Sequence, residues 1–202
     1  MASSPGLAPT VLDSVLPARE SERGEFHAIE IHASPEAVMA AVKAVRPNEI
    51  AWLPLLFFLR ALPARLLTRP WHWARTSARR HESLLAMTLE SGWVELGGDE
   101  REIVVASIGQ FWKLAGGHTV RVASAAEFRA FHVAGYARTA VNFLIEPVEP
   151  GRVRLTTETR IATTDGHARC KFAPYWAVVK PFTALIRRGV LRAIRRRAEN
   201  RF

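Results

Sequence analysis

A single cysteine, Cys170, in 202 residues excludes an internal disulfide and every Cys-x-x-Cys redox or metal motif. Such usage is compatible with a reducing compartment. The seven histidines, His27, His32, His72, His81, His118, His132 and His167, fall into no His-Glu-x-x-His spacing, so no metal site is expected. Gly116-Gly117 is an isolated pair and nothing resembles Gly-x-Gly-x-x-Gly, which disfavours a nucleotide; no cofactor is expected. Without a Gly-x-Ser-x-Gly turn, the serines, histidines and aspartates make no triad. Long apolar runs are also missing: the stretch over residues 50–59 ends at Arg60, well short of the ~20 residues that cross a bilayer. The opening "MASSPGLAPTVLDSVLP" has no basic lead-in and is interrupted by Pro9. It reads as a flexible tail over residues 1–22 rather than a signal peptide, followed by one domain over residues 23–202, and a cytoplasmic protein is expected.

Acid is absent from one region and nearly absent from another. Residues 50–80 hold six arginines and no acid, and residues 187–201 hold seven arginines against Glu199, so the net charge of +9 is two patches on an otherwise acidic chain. Patches of this kind attract the phosphates of nucleic acid or of anionic lipid, although a charge run on a helix commonly serves only as a solvated face. No zinc finger or aromatic RNA motif accompanies them, and no specific nucleic acid partner is expected.

"GEFHAIEIHA" alternates Phe26, Ala28 and Ile31 with polar neighbours and predicts a first strand. "SPEAVMAAVKAV" predicts a helix capped by Ser34, with Pro35 at its first position, Glu36 against its dipole and an apolar stripe of Val38, Ala41, Val42 and Val45. Asn48 is expected to cap a second helix, "EIAWLPLLFFLRALPARLL", broken up by Pro54 and Pro63. From about Leu84 the period becomes two-fold. "MTLESGWVELGG", "REIVVASIGQFW", "RTAVNFLIEPV" and "RVRLTTETRIATT" predict antiparallel strands, with hairpins at Gly97-Gly98-Asp99 and Glu149-Pro150-Gly151.

The rest reads as one helix capped by Asp165, with Ala168, Phe172, Tyr175, Val179, Phe182, Ile186, Val190 and Ala193 inward and Arg187, Arg188, Arg192 and Arg195 outward. Pro174 and Pro181 predict a kink or break. Gly189 lies within the apolar stripe, which asks for close backbone approach or open space beneath the helix.

The strand "RLTTETRIATTD" sets Leu155, Thr157, Thr159, Ile161 and Thr163 on one face and Arg154, Thr156, Glu158 and Arg160 on the other. An outward Glu158–Arg160 pair contributes about 0 to 1 kcal/mol; an inward pair needs full pairing, with Arg160 or Arg138, and can orient the polar end of a ligand.

Strand, two helices, an antiparallel meander and a long final helix is an order that resembles the START-like, or SRPBCC, superfamily of Bet v 1-like proteins, polyketide cyclases and coenzyme Q-binding proteins. The resemblance spans about residues 24–200, with "RLTTETRIATTD…ARCKFAPYWAVVKPFTALIRR" similar to a bacterial branch and residues 61–80, with Trp71 and Trp73, resembling an insertion. It implies an α+β helix-grip fold, a curved antiparallel sheet wrapped around the C-terminal helix, enclosing a mostly apolar cavity. Trp93, Phe111, Trp112, Tyr136, Phe143, Glu158, Arg160, Tyr175, Phe182 and Gly189 are the expected lining. The function implied is binding or transport of a hydrophobic small molecule or lipid. The alternative is a cyclase- or aromatase-like enzyme in which Glu158, Arg160, His132 and Tyr136 supply the polar groups. A peripheral contact with an anionic membrane is a further expectation, from Trp52, Phe57, Phe58, Trp71 and Trp73 beside Arg60, Arg65 and Arg69.

Overall fold

In the computed structural model, which describes residues 9–50, 82–113 and 117–199, the meander is built on its longest hairpin. Strands β5 (Ala137–Glu149) and β6 (Arg152–Thr163) pair along nearly their whole length. Gly151, between them, has a φ of 76°, a left-handed value that glycine adopts without a Cβ clash. β1 (Arg23–Ile31) adds to the free edge of β6, β3 (Glu102–Gly109) to that of β5, and both β2 (Val94–Gly98) and the two-residue β4 (Thr119–Val120) pair with β3. Every pairing is antiparallel, in the order β1-β6-β5-β3-β2. The β2–β3 turn is held by the Asp99 carboxylate, which accepts the Arg101 and Glu102 amides at 2.7 Å each.

Helix α1 is Val11–Val15, α2 Pro35–Ala44, α3 Leu84–Glu90, α4 Ala125–Ala130 and α5 Gly166–Glu199. Ser34 caps α2 by accepting the Ala37 amide at 3.3 Å, and Asp165 accepts the Ala168 amide at 2.8 Å at the start of α5. Three local expectations change. Residues 84–90 are helical rather than extended, because Ser83 accepts the Ala86 amide at 3.2 Å and starts a turn of good helix formers. Asn48 sits inside a 3₁₀ turn, Pro47–Glu49, instead of capping a helix, and the expected helix after it lies outside the described residues. α5 runs unbroken through Pro174 and Pro181, which both lie on its exposed side together with Cys170 and Ala177, whose carbonyls lose their amide partners to the prolines and can turn to water.

The architecture is α+β with a helix grip: an open, curved antiparallel sheet that holds α2 and the 34-residue α5 against one face. Ile31, Val38, Val42, Val105, Val141, Leu155, Val190 and Ile194 form the core there. The alternate residues of the same strands, Val104, Ala106, Ile108, Ala140 and Ala162, form a second core on the convex face with Leu12, Val15, Leu16 and Phe128. Residues 9–22 are therefore a strap on the sheet where a flexible tail was expected. Leu12, Val15 and Leu16, fully buried, are what hold it.

Polar groups fix where the strap lands. The Glu102 carboxylate, 1% exposed, accepts the Val11 amide at 2.6 Å, the Leu12 amide at 3.3 Å and the Asn142 side-chain amide at 2.6 Å. Asn142 Oδ1 accepts the Glu158 amide at 2.8 Å. Arg160 donates to both oxygens of Glu158 (2.8 and 3.0 Å), to Asp13 (2.6 Å) and to the Leu16 carbonyl (3.0 Å).

Glu102→Gln should lower the unfolding free energy by about 2 to 4 kcal/mol, because an amide must present N–H to buried N–H donors or leave them unpaired; urea denaturation measures it. Acid should act through Asp13. Burial alone would raise its carboxyl, but the hydrogen bonds from Arg160 and Thr10 outweigh burial and hold it below its ordinary value of 3.8. The unfolded chain then takes up this proton first as pH falls, so the contact is complete above about pH 5 and is lost as pH drops through the lower folded value. Between about pH 4 and pH 2, Asp13→Asn should lose less stability than the parent chain in the same urea series.

Candidate functional site

Strand parity decides what faces α5. Ile29 and Ile31 of β1 pack into the grip, and the two-residue repeat turns Glu25 and His27 the same way. Phe26 and Ala28, which share the alternation with Ile31 only imperfectly, point to the convex side, with Phe26 61% exposed. Register places Glu25 beside Thr159, His27 beside Thr157 and Ser107 beside Thr139. A polar row thus crosses the floor of an otherwise apolar grip: Ser107, Thr139, Thr157 and Thr159 are buried, and the Glu25 and His27 side chains are 5% and 13% exposed.

Arg187 comes to this row from above. Its spacing of three, four and seven residues from Val190, Leu191 and Ile194 puts it on the inner side of α5, where all three are buried. The outward expectation fails here because the apolar stripe drifts around so long a helix, and by this point residue 187 has turned inward. Burial pushes the Arg187 guanidinium down to about 10, opposed by the Glu25 carboxylate, and it remains a cation at neutral pH.

The two charges attract without touching. Among the described residues no carboxylate lies within 4 Å of Arg187. Glu25 Oε2 lies 3.5 Å from His27 Nε2, while its Oε1 is buried with no partner. Leaving such groups unpaired costs several kcal/mol. A polar group between them, offering an acceptor to Arg187 and a donor to Glu25 Oε1, would satisfy both.

The expected lining residues divide into five groups. Trp93 and Phe143 pack at the edge of the grip core. Phe111, Trp112 and Tyr175 gather at one end of it around Phe172 and Trp176, whose rings stack at 5.9 Å, and the Trp112 Nε1 is buried without a partner. Glu158, Arg160 and Tyr136 lie on the convex side and cannot line the grip: the first two hold the strap, and Tyr136 meets Phe131 edge-on at 5.4 Å. Phe182 is 44% exposed on the outside of α5. Gly189 serves close approach, not open space, because a Cβ there would come within 2.9 Å of Ile50 Cγ2. His132, the proposed acid–base partner of Tyr136, is exposed.

Two recesses are lined by described residues. One, of about 630 Å³, is a wide bowl beside the β2–β3 turn, with Lys43, Glu95, Asp99 and Glu100 in its wall. The other, of about 150 Å³, lies where the strap begins, between Thr10, Arg101 and Pro147. No cluster of three or more histidine, cysteine or acidic side chains suited to a metal ion occurs among the described residues.

No family model matches the chain, and no curated protein does. Among solved structures, the crystal structure of a hypothetical protein from Helicobacter pylori is similar at 11% identity over 96% of this chain and 98% of the other, with a TM-score of 0.41. At that score the likeness bears on neither ancestry nor function.

The Gly189 contact sets a test of the packing. Gly189→Leu should cost about 1 to 3 kcal/mol by overpacking, and Ile50→Ala in the same chain should return part of it. Additive losses in thermal unfolding would contradict the contact.

Proposed function

We propose that the chain is a START-like binding protein that carries a hydrophobic small molecule or lipid between the sheet and α5, with the polar head of that molecule set between Arg187 and Glu25. The observation that carries this reading is the buried, unpartnered Glu25 Oε1 opposite the Arg187 guanidinium, which no carboxylate among the described residues reaches. A stability role would bring the two together; a gap between them suits a third group. Because the site sums to no net charge with His27 neutral, it favours an uncharged head that both donates and accepts, such as a primary amide or a hydroxy-carbonyl group, over a free acid. The apolar floor around the row, Val105, Val141, Leu155 and Phe143, suits the remainder of such a molecule.

A second reading, conversion of the ligand by a cyclase-like enzyme, rests on the Glu25–His27 pair. A carboxylate beside an imidazole orients it as a general base. The roles once expected of Glu158, Arg160, His132 and Tyr136 would pass to this pair.

The test is native mass spectrometry of the chain mixed with a long-chain primary amide, the matching fatty acid and the matching alkane. The amide should be retained in preference, and Arg187→Met should abolish the preference. Retention of all three alike would overturn the reading. His27→Gln should leave retention intact; loss of a reaction product alone would favour the enzyme.

A further inference from the structure

The outer side of α5 is left with a composition that solvation does not explain. Val178, Phe182 and Leu185, at spacings of four and three, are 67%, 44% and 40% exposed, half of the six large hydrophobic side chains exposed among the described residues. Pro174, Ala177 and Pro181 share this exposed side, so the middle of the helix shows water an apolar strip about three turns long. Basic residues bracket the strip. Lys171 precedes it, Lys180 lies alongside, and Arg188 and Arg192 follow; all four are exposed and none meets a carboxylate within 4 Å among the described residues. Other arginines of this helix are already used: Arg169 pairs with Glu22, Arg197 with Glu49, and Arg196 donates to the Glu49 carbonyl. Between Gly166 and Glu199 the only acid is Glu199 itself.

We infer that α5 docks by this side onto an anionic lipid bilayer, its axis in the plane of the interface, with Val178, Phe182 and Leu185 at the level of the acyl chains and Lys171, Arg188 and Arg192 among the phosphates. The charges choose the occupant. A second copy would bring two unneutralised basic faces together, which like-charge repulsion opposes. A convex helix offers no groove for a peptide, while a strip of apolar side chains flanked by lysine and arginine suits a flat surface that is apolar below and anionic at its rim. The residues differ from the tryptophan-rich stretch that the sequence pointed to, which lies outside the described residues. The contact does not depend on what the grip holds.

The chain itself carries the reporter, because Cys170 is its sole cysteine and lies exposed on the same helix. An environment-sensitive fluorophore on Cys170 should shift to the blue on addition of phosphatidylcholine vesicles containing phosphatidylglycerol, and not with phosphatidylcholine alone. In co-sedimentation, Arg188→Ser with Arg192→Ser should weaken binding to the anionic vesicles roughly 30-fold, and Phe182→Ser with Leu185→Ser should weaken it without changing its salt dependence. A control with the same loss of charge elsewhere, Arg101→Ser with Arg121→Ser, should bind as the parent does. Equal loss in the control would assign binding to net charge and overturn the proposal, as would equal pelleting with neutral vesicles. Binding of duplex DNA that the α5 variants abolish, with vesicle binding absent, would overturn it in favour of nucleic acid.

Discussion

The wholly buried carboxylate of Glu102 has no cation beside it among the described residues, and much of the convex side follows from how it is satisfied. Three N–H groups converge on it, two from the first turn of α1 and one from Asn142. Since Asn142 spends its own oxygen on the Glu158 amide, and the Glu158 carboxylate accepts Nε and Nη2 of Arg160 while Nη1 turns to the strap, one connected chain of hydrogen bonds runs across β3, β5 and β6 and ends on Asp13 and Leu16. Sliding one strand by a residue would turn members of this set into the opposite core. Register, strap position and burial of the N-terminal leucines are thus a single condition.

The two faces of the sheet treat charge differently. On the convex side Glu102, Glu158 and Arg160 each hold several partners, while Arg138 keeps a buried Nε without one, and replacing any of the first three leaves others exposed to the same penalty. In the grip the charges are fewer and stand apart, with Glu25 and Arg187 separated across the helix–sheet interface. The first pattern specifies a structure; the second leaves a buried carboxylate oxygen unsatisfied.

The order of elements was legible in the sequence because the meander alternates cleanly, its two hairpins carry glycine, and Ser34 and Asp165 announce their helices. Parity was harder. Phe26 draws the eye inward on apolarity, yet the spacing of Ile29 and Ile31 fixes the opposite face, and with it Glu25 and His27. Arg187 was hidden by an arginine run whose other members point outward; counting back from Val190 and Ile194 would have found it. Glu158 and Arg160 announced a structural cluster, but its partner Asp13 lies 147 residues from Arg160 in a segment whose prolines and serines read as tail. No local pattern records a contact of that range.

That range has a consequence for synthesis. The strap and β1 are made well before β6, which supplies the pairing edge for β1 and, from Arg160, 147 residues after Asp13, the guanidinium for the strap. At elongation rates of roughly 5 to 20 residues per second the early segment waits on the order of ten seconds. Through that interval Leu12, Val15, Leu16, Ile29 and Ile31 lack the part of their native cover that β6 completes. Closure therefore joins segments far apart in the sequence, and it should be slower than folding built from local contacts.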